Sequence, residues 1–165
     1  MKEQMIVAVS GIRNSGKTTL LEKLIAVLTS HGFQCAVIKH DGHRFAPERE
    51  GTDTHRLLSA GAFGTAVFDG EKYQAVKYEA VSEADLIRLF PEADFLFLEG
   101  FKQSEWPKIE IIRKDNSRES VCDPRTVIAL ATDSEVRIPG VRTFALEDAE
   151  GIAAFLIRRR ENHHA

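Results

Sequence analysis

A glycine-rich loop between an apolar run and a helical pattern is the feature that most constrains this fold. It is GIRNSGKTTL at residues 11–20 and directly follows the apolar run MIVAVS. Four of its residues fit G-x-x-x-x-G-K-[ST], namely Gly11, Gly16, Lys17 and Thr18. Glycines let the backbone turn its N–H groups toward phosphate oxygens, and the following helix adds its positive end. Because strand, loop and helix occur in the required order, the stretch predicts a nucleotide phosphate site rather than an ordinary strand–helix turn.

Two side chains of this loop have predictable roles. Lys17 is expected to reach the β- and γ-phosphates and to take part in catalysis, and Thr18 is expected to place its hydroxyl on Mg²⁺. The residues expected to contact the nucleotide are Gly11, Arg13, Asn14, Ser15, Gly16, Lys17, Thr18 and Thr19. The sequence has no evident arginine finger, although Arg13 lies inside the loop, so we expect slow turnover.

Strand and helix patterns alternate along the rest of the chain. Apolar runs predict buried strands at 5–9, 34–39, 93–100 and 126–133. The segment PKIEIIRK alternates between polar and apolar residues, which predicts an edge strand or a half-exposed one. Asp69-Gly70 predicts a β-hairpin over 65–78. The whole chain, 1–165, is predicted to be one α/β domain. Its expected architecture is a P-loop NTPase-type three-layer sandwich with a mostly parallel sheet and an inserted β-hairpin.

Two carboxylates are candidates for a magnesium site. Glu99 ends the run FLFLE, at the sheet edge where ligands of open α/β sheets bind. We expect it to be catalytic, either by contacting Mg²⁺ or by positioning the attacking water. The alternative is a glutamate that caps a neighbouring loop. Asp41 follows the second predicted strand and is the other candidate metal ligand.

The polar segment KHDGHRF, which contains Asp41, suggests a second binding function. His40 and His43 together with Asp41 are ligand types that zinc accepts, but three polar residues in one loop are common. Contact with an anionic ligand is therefore the favoured interpretation. Further along, Arg56 lies three residues after Asp53 on one helix face. This pair predicts either an exposed ion pair or a contact with a second phosphorylated ligand.

Asp133 is the candidate for recognition of the base. It follows the apolar run VIALAT, and a carboxylate can accept hydrogen bonds from both the N1–H and the N2–H₂ groups of guanine. The N-K-x-D pattern of many GTPases is absent, and an ordinary Asp-Ser turn is the alternative.

Charge and composition exclude some classes of function. A net charge of −3 and a pI of about 6.1 do not fit a nucleic-acid binder. The run RRR at 158–160 is expected to be a solvated helix end. No apolar run is long enough to span a membrane. Cys35 and Cys122 are expected to be free thiols in a reducing compartment, which predicts a cytoplasmic protein.

Five segments, in this order, resemble the MobB family of molybdopterin-guanine dinucleotide biosynthesis adapter proteins: GIRNSGKTTL, KHDGHRF, TDTHRLLSAGA, FLEGFKQSEWPKIEIIR and VIALATD. The resemblance covers nearly the whole chain and thins after residue 145. It implies a P-loop protein that binds GTP with Mg²⁺, hydrolyses GTP weakly and forms homodimers through its β-hairpin. It also implies a partner, the guanylyltransferase that joins GMP to molybdopterin, and molybdopterin as a second ligand. The matching positions expected to face that partner or ligand are His40, His43, Arg56 and Lys102.

Three other functions fit parts of the pattern. A small-molecule kinase would share the phosphate loop, with RFAPERE at 44–50 as a poor lid. A metallochaperone GTPase would use His40, His43 and Asp41 as metal ligands. A pure interaction module would bind nucleotide structurally, without hydrolysis.

Overall fold

The structure is a computed structural model that describes residues 4–41, 49–117 and 119–162. The chain forms two compact units, residues 1–40 with 86–165 and residues 41–85. In chain order, the elements are β1 Met5–Ser10, α1 Lys17–Ser30, β2 Cys35–Lys39, α2 Asp53–Ser59, β3 Gly64–Phe68, β4 Tyr73–Lys77, α3 Glu83–Ile87, β5 Phe95–Glu99, β6 Lys108–Ile112, β7 Val127–Thr132, β8 Arg142–Phe144 and α4 Ala149–Asn162.

The larger unit contains a six-stranded parallel sheet with the order β2-β5-β1-β6-β7-β8. This confirms the predicted α/β class with its parallel sheet. Glu99 is in register with Val9 on one side and with Lys39 on the other. The carboxyl ends of β1, β2 and β5 therefore lie side by side, and the residues that follow these strands meet at one edge of the sheet.

The main core lies on the face of the sheet that is covered by α1 and α4. Helix α1 places its buried leucines at helical spacing, and α4 adds Ile152 and Leu156. On the other face, Leu96 and Leu98 pack in a smaller cluster with residues of α3 and of the connecting segments. Burial of these apolar side chains is the main force that holds the helices on the sheet.

The prediction that β6 is an edge strand is wrong. It lies between β1 and β7, and all five of its side chains are buried. Lys108 is fully buried and donates hydrogen bonds from Nζ to the carbonyl oxygens of Ser104 and, at 2.9 Å, Trp106. Glu110 is also fully buried and accepts hydrogen bonds from the backbone N–H groups of Val121 (2.7 Å) and Cys122 (3.2 Å). Charged groups can occupy a central strand here because the connecting segments supply their partners.

The prediction that 158–160 is a solvated helix end is wrong for Arg160. Its Nη2 lies 3.0 Å from Oδ1 of Asp94, which is only 2% exposed. Its guanidinium carbon also lies 5.7 Å and 5.9 Å from the ring centroids of Phe33 and Phe95. The guanidinium therefore joins the end of α4 to the start of β5, at the amino edge of the sheet.

The smaller unit contains α2 and the hairpin β3–β4. Thr52 caps α2 by accepting a hydrogen bond of 3.3 Å from the N–H of His55. The antiparallel pairing of β3 with β4 confirms the predicted hairpin. Its turn is stabilised by Asp69, whose Oδ1 accepts hydrogen bonds from the N–H groups of Glu71 (2.8 Å) and Lys72 (3.0 Å). This use of an aspartate side chain is typical of tight turns.

Candidate phosphate-binding site

The loop between β1 and α1 has the left-handed backbone geometry that its glycines predict. The φ angles are 148° at Gly11, 60° at Asn14 and 95° at Gly16. A Cβ atom added at Gly11 would lie 2.7 Å from the carbonyl oxygen of Ile111 in β6. Glycine at this position is therefore required both by the backbone conformation and by the close approach of the neighbouring strand.

Lys17 begins α1 and folds back over the loop. Its Nζ donates hydrogen bonds to the carbonyl oxygens of Ile12 (2.7 Å) and Gly11 (3.4 Å). The pKa of Lys17 is lowered from its ordinary value because burial disfavours the charged form. The carboxylate of Glu99 opposes this pKa shift, and the ammonium groups of Lys39 and Lys102 add to it. The charges that act on Lys17 are thus two ammonium groups and one carboxylate, so positive charge is in excess here and favours a ligand with several negative charges.

Thr18 and Glu99, both predicted to be magnesium ligands, are in direct contact. The Thr18 hydroxyl donates a hydrogen bond of 2.8 Å to Oε1 of Glu99. The same oxygen lies 3.3 Å from Nζ of Lys39, to which the loop motif assigns no role. Glu99 is only 7% exposed, so its carboxylate is held at the base of the site by one hydroxyl and one ammonium group.

Two further observations show that the loop fits a phosphate group. The Oγ of Ser15 is buried and has no hydrogen-bond partner among the residues that the structure describes. Helix α1 has Gly16 at its N-cap, with no side-chain hydrogen bond to the cap and no acidic residue in its first turn. An anion at this end of the helix would complete the hydrogen bonding of its first N–H groups.

The remaining loop residues predicted to contact nucleotide, Arg13, Asn14 and Thr19, are exposed. At the adjacent strand end, the N–H of His40 donates a 3.1 Å hydrogen bond to the carbonyl oxygen of Glu99. The His40 ring lies edge-on to the ring of Phe101, with 5.6 Å between centroids. Lys102 follows Phe101 and is exposed. His40 and Lys102 are thus positioned by the neighbouring ends of β2 and β5.

The other predicted partner-facing and metal residues belong to the smaller unit or lie outside the described residues. Asp41 is the exposed first residue of the smaller unit. Arg56 forms the predicted ion pair with Asp53, at 3.5 Å from Nη1 to Oδ1, and both side chains are exposed. His43 and residues 44–48 of the candidate kinase lid lie outside the described residues.

Asp133 lies directly after β7, as predicted, and is exposed. Its Oδ1 accepts a hydrogen bond of 2.6 Å from the backbone N–H of Lys114, so one carboxylate oxygen joins the ends of β6 and β7. Beside it is a cleft of about 590 Å³, lined by Lys114, Asp115, Ser117, Ser134, Glu135 and Val136. The larger unit therefore has an open space next to the candidate base-reading residue.

Two side chains that contact the phosphate loop are not predicted from the sequence. Arg113 donates a hydrogen bond of 3.0 Å from Nε to the carbonyl oxygen of Ser15, and Asn116 donates one of 2.9 Å from Nδ2 to the carbonyl oxygen of Arg13. Both follow β6, which the alternation of PKIEIIRK placed at the edge of the sheet. The pairing of β6 with β1 brings these residues against the loop, and the sequence pattern does not predict that pairing.

Within the described residues, no group of three or more His, Cys, Asp or Glu side chains is arranged to hold a metal ion by protein ligands alone. The same part of the chain has no helix that is long and apolar enough to cross a membrane.

Comparison with known proteins identifies the family. The family model described as "Molybdopterin guanine dinucleotide synthesis protein B" (MobB) matches residues 6–133. The chain belongs to the MobB family. The crystal structure of Bacillus subtilis MobB matches this MobB chain with a TM-score of 0.73 and 30% identity, covering 94% of this chain and 97% of that one. The chain therefore has the α/β fold of a solved MobB structure.

Two relatives of this chain are both named molybdopterin-guanine dinucleotide biosynthesis adapter protein. The Escherichia coli (strain K12) protein is 32% identical over 161 residues, which are 92% of this chain and 91% of that protein. The Haemophilus influenzae protein is 32% identical over 138 residues, which are 81% of this chain and 77% of that protein.

Proposed function

We propose that this MobB-family protein is a GTP-binding adapter that assists the guanylyltransferase joining GMP to molybdopterin. The observation that carries the proposal is the contact between Thr18 and Glu99 beneath a loop shaped for phosphate, in a chain whose relatives are named as adapters of this pathway. A lysine that already reaches across the loop supports nucleotide binding, because an ammonium group at this position neutralises phosphate charge.

The loop residues hold the phosphates of GTP in this proposal. Lys17 exchanges its hydrogen bonds to loop carbonyl oxygens for contacts with phosphate oxygens, and Ser15 gains a partner for its buried hydroxyl. Thr18 and Glu99 would hold Mg²⁺ in this proposal. When bound, Mg²⁺ supplies positive charge that neutralises the phosphate oxygens.

Asp133 reads the guanine base. The cleft beside it can accommodate a purine, and the carboxylate oxygen that is not bonded to Lys114 accepts a hydrogen bond from the base. Adenine lacks the N1–H and N2–H₂ donors of guanine, so this contact favours GTP over ATP.

The protein hydrolyses GTP slowly. The described part of the loop site has positioning groups and ammonium groups, and an arginine that contacts the loop, Arg113, directs its Nε to the carbonyl oxygen of Ser15. An adapter needs its GTP to stay bound for longer than one transfer of GMP to molybdopterin takes. A fast intrinsic GTPase activity of the purified protein would count against this role.

The residues proposed to contact the partner or a second ligand are His40, His43, Arg56 and Lys102. These positive or neutral side chains suit a phosphorylated ligand such as molybdopterin, or an acidic surface of the transferase. The protein acts in the cytoplasm as a homodimer. The hairpin supports dimer formation because Phe68 and Tyr73, paired across β3 and β4, are 80% and 74% exposed.

A reconstituted assay tests this function. Transfer of GMP to molybdopterin by the purified guanylyltransferase is measured with and without this protein. The proposal expects faster or more complete cofactor formation with the wild type, and a loss of this effect with His40→Ala and Arg56→Ala. Arg125→Ala is the matched control, since Arg125 pairs with the nearby Asp123 on the surface. No effect of the wild type on the yield would overturn the adapter role. Unchanged stimulation by His40→Ala and Arg56→Ala would remove these two residues from it.

A further inference from the structure

A tight turn after β6 contacts the phosphate loop. The carbonyl oxygen of Arg113 accepts hydrogen bonds from the N–H groups of Asn116 (3.0 Å) and Ser117 (2.8 Å). Because the turn is closed by these two bonds, the side chains of Arg113 and Asn116 project from a well-defined backbone.

Both side chains donate to carbonyl oxygens of the loop. Nε of Arg113 lies 3.0 Å from the oxygen of Ser15, and Nδ2 of Asn116 lies 2.9 Å from the oxygen of Arg13. The guanidinium of Arg113 also lies against Gly16, where an added Cβ would be 3.1 Å from Nη2. The absence of a side chain at Gly16 therefore leaves room for this contact.

The position of these two oxygens fixes the direction of two amide groups. In a trans peptide unit the C=O and N–H bonds point in opposite directions. The unit that contains the Arg13 oxygen also contains the N–H of Asn14, and the unit that contains the Ser15 oxygen contains the N–H of Gly16. Both N–H groups therefore point away from the Arg113 and Asn116 side chains, which leaves them directed to an anion on the opposite side of the loop.

We propose that Arg113 and Asn116 are positioning residues that hold the loop in its anion-binding conformation by binding the carbonyl oxygens of Ser15 and Arg13. The inference rests on the proposed nucleotide binding at the loop, but not on the identity of the base. Neither residue touches the ligand, so both act on phosphate affinity through the loop backbone.

Different side chains of this turn contact the phosphate loop and line the cleft beside Asp133, so effects on phosphate binding can be separated from effects on base recognition. Lys114, Asp115 and Ser117 line the cleft beside Asp133, whereas Arg113 and Asn116 point to the loop. Loss of either loop-binding side chain is therefore expected to weaken all polyphosphate ligands equally, whatever base they carry.

The test measures the affinity of full-length variants for inorganic tripolyphosphate, GTP and ATP by calorimetry. Arg113→Ala and Asn116→Ala are each expected to weaken tripolyphosphate and GTP by the same factor, about tenfold. Arg113→Lys, which keeps a donor and the charge, is expected to recover part of this loss. Gln4→Ala is the matched control, because the Gln4 amide donates to the carbonyl oxygen of Phe90 (2.6 Å) far from the loop.

Amide signals give a second readout that does not depend on stability. In ¹H–¹⁵N spectra of the wild type, tripolyphosphate is expected to shift the signals of Asn14 and Gly16, and these shifts should shrink in Asn116→Ala. Unchanged affinity and unchanged shifts in both alanine variants would overturn the inference, whatever the melting temperature does. Equal binding of GTP and ATP by the wild type would instead overturn guanine recognition and leave the positioning role intact.

Discussion

The hydroxyl of Thr18, in the first turn of α1, donates a hydrogen bond of 2.8 Å to Oε1 of Glu99, the last residue of β5. The same oxygen lies 3.3 Å from Nζ of Lys39 at the end of β2. Three elements that are distant in sequence thus meet at one carboxylate beside the phosphate loop. This contact joins the phosphate loop to the glutamate at the end of β5.

Replacement of Glu99 by Gln is expected to reduce the dependence of GTP binding on Mg²⁺. The amide keeps the size of the side chain and an acceptor for Thr18, but it removes the charge that attracts a cation. Calorimetric titration with and without Mg²⁺ measures the effect, and the tightening caused by Mg²⁺ should fall about tenfold or more. Glu105→Gln, an exposed site in the following loop, is the control. If Glu99→Gln responds to Mg²⁺ like the wild type, Glu99 is not a magnesium ligand.

Asp133→Asn is expected to lower the preference for GTP over ATP by about tenfold. Asparagine retains an oxygen that can accept the hydrogen bond from the N–H of Lys114, so the ends of β6 and β7 stay joined. With its oxygen bonded to Lys114, asparagine presents an NH₂ donor to the base in place of the carboxylate oxygen that accepts from guanine. Competition between the two nucleotides measures the preference, and tripolyphosphate, which has no base, serves as the internal control. An unchanged preference would show that the base is read elsewhere.

Much of the fold could be predicted from the sequence because it depends on local patterns. The loop motif predicts the first strand and helix, and continuous apolar runs predict β5 and β7. The hairpin signal at Asp69-Gly70 was correct because an aspartate turn needs only the residues around it.

The errors have a common physical origin in partners supplied by distant segments. Lys108 and Glu110 gave β6 a polar pattern, yet both are buried because carbonyl and N–H groups of connecting segments bind them. Arg160 belongs to a run that predicts a solvated helix end. Its ion-pair partner, Asp94, lies 66 residues earlier in the chain, so the sequence pattern does not reveal the contact. Arg113 and Asn116 were missed for the same reason, since only the pairing of β6 with β1 brings them to the loop.

Arg160→Met is expected to destabilise the fold by about 3 kcal/mol, because the buried carboxylate of Asp94 loses its guanidinium partner. The Asp94 side chain is 2% exposed and the Arg160 side chain 16% exposed, so water cannot replace the contact fully. Urea denaturation measures the free energy of unfolding. Arg158→Met, an exposed position on the same helix, is the matched control and should change it by less than about 0.5 kcal/mol. Equal effects of the two substitutions would contradict the importance of this ion pair.

Stability is expected to fall as the pH rises above about 9 because of Cys122. Burial, with the nearby Glu110 carboxylate, raises the pKa of this thiol from 9.0 to about 12. Below pH 9 the thiol is protonated in both folded and unfolded chains. Between pH 9 and about 12 only the unfolded chain releases the proton, so unfolding becomes more favourable.

Cys122→Ser tests this pH dependence because the serine hydroxyl does not titrate in the range. Urea denaturation at pH 8 and pH 10 should show a smaller alkaline loss of stability in the variant than in the wild type. Burial also raises the pKa of Cys35, to about 11, so part of the loss should persist in the variant. An identical loss in both proteins would contradict the assignment to Cys122.

The most direct test of the central claim is calorimetric titration of the purified protein with GTP and with ATP, each with and without Mg²⁺. We expect clear preference for GTP and tighter binding when Mg²⁺ is present, because the loop, Thr18, Glu99 and Asp133 then act together. Equal or tighter binding of ATP would contradict a GTP-binding adapter and favour a P-loop kinase.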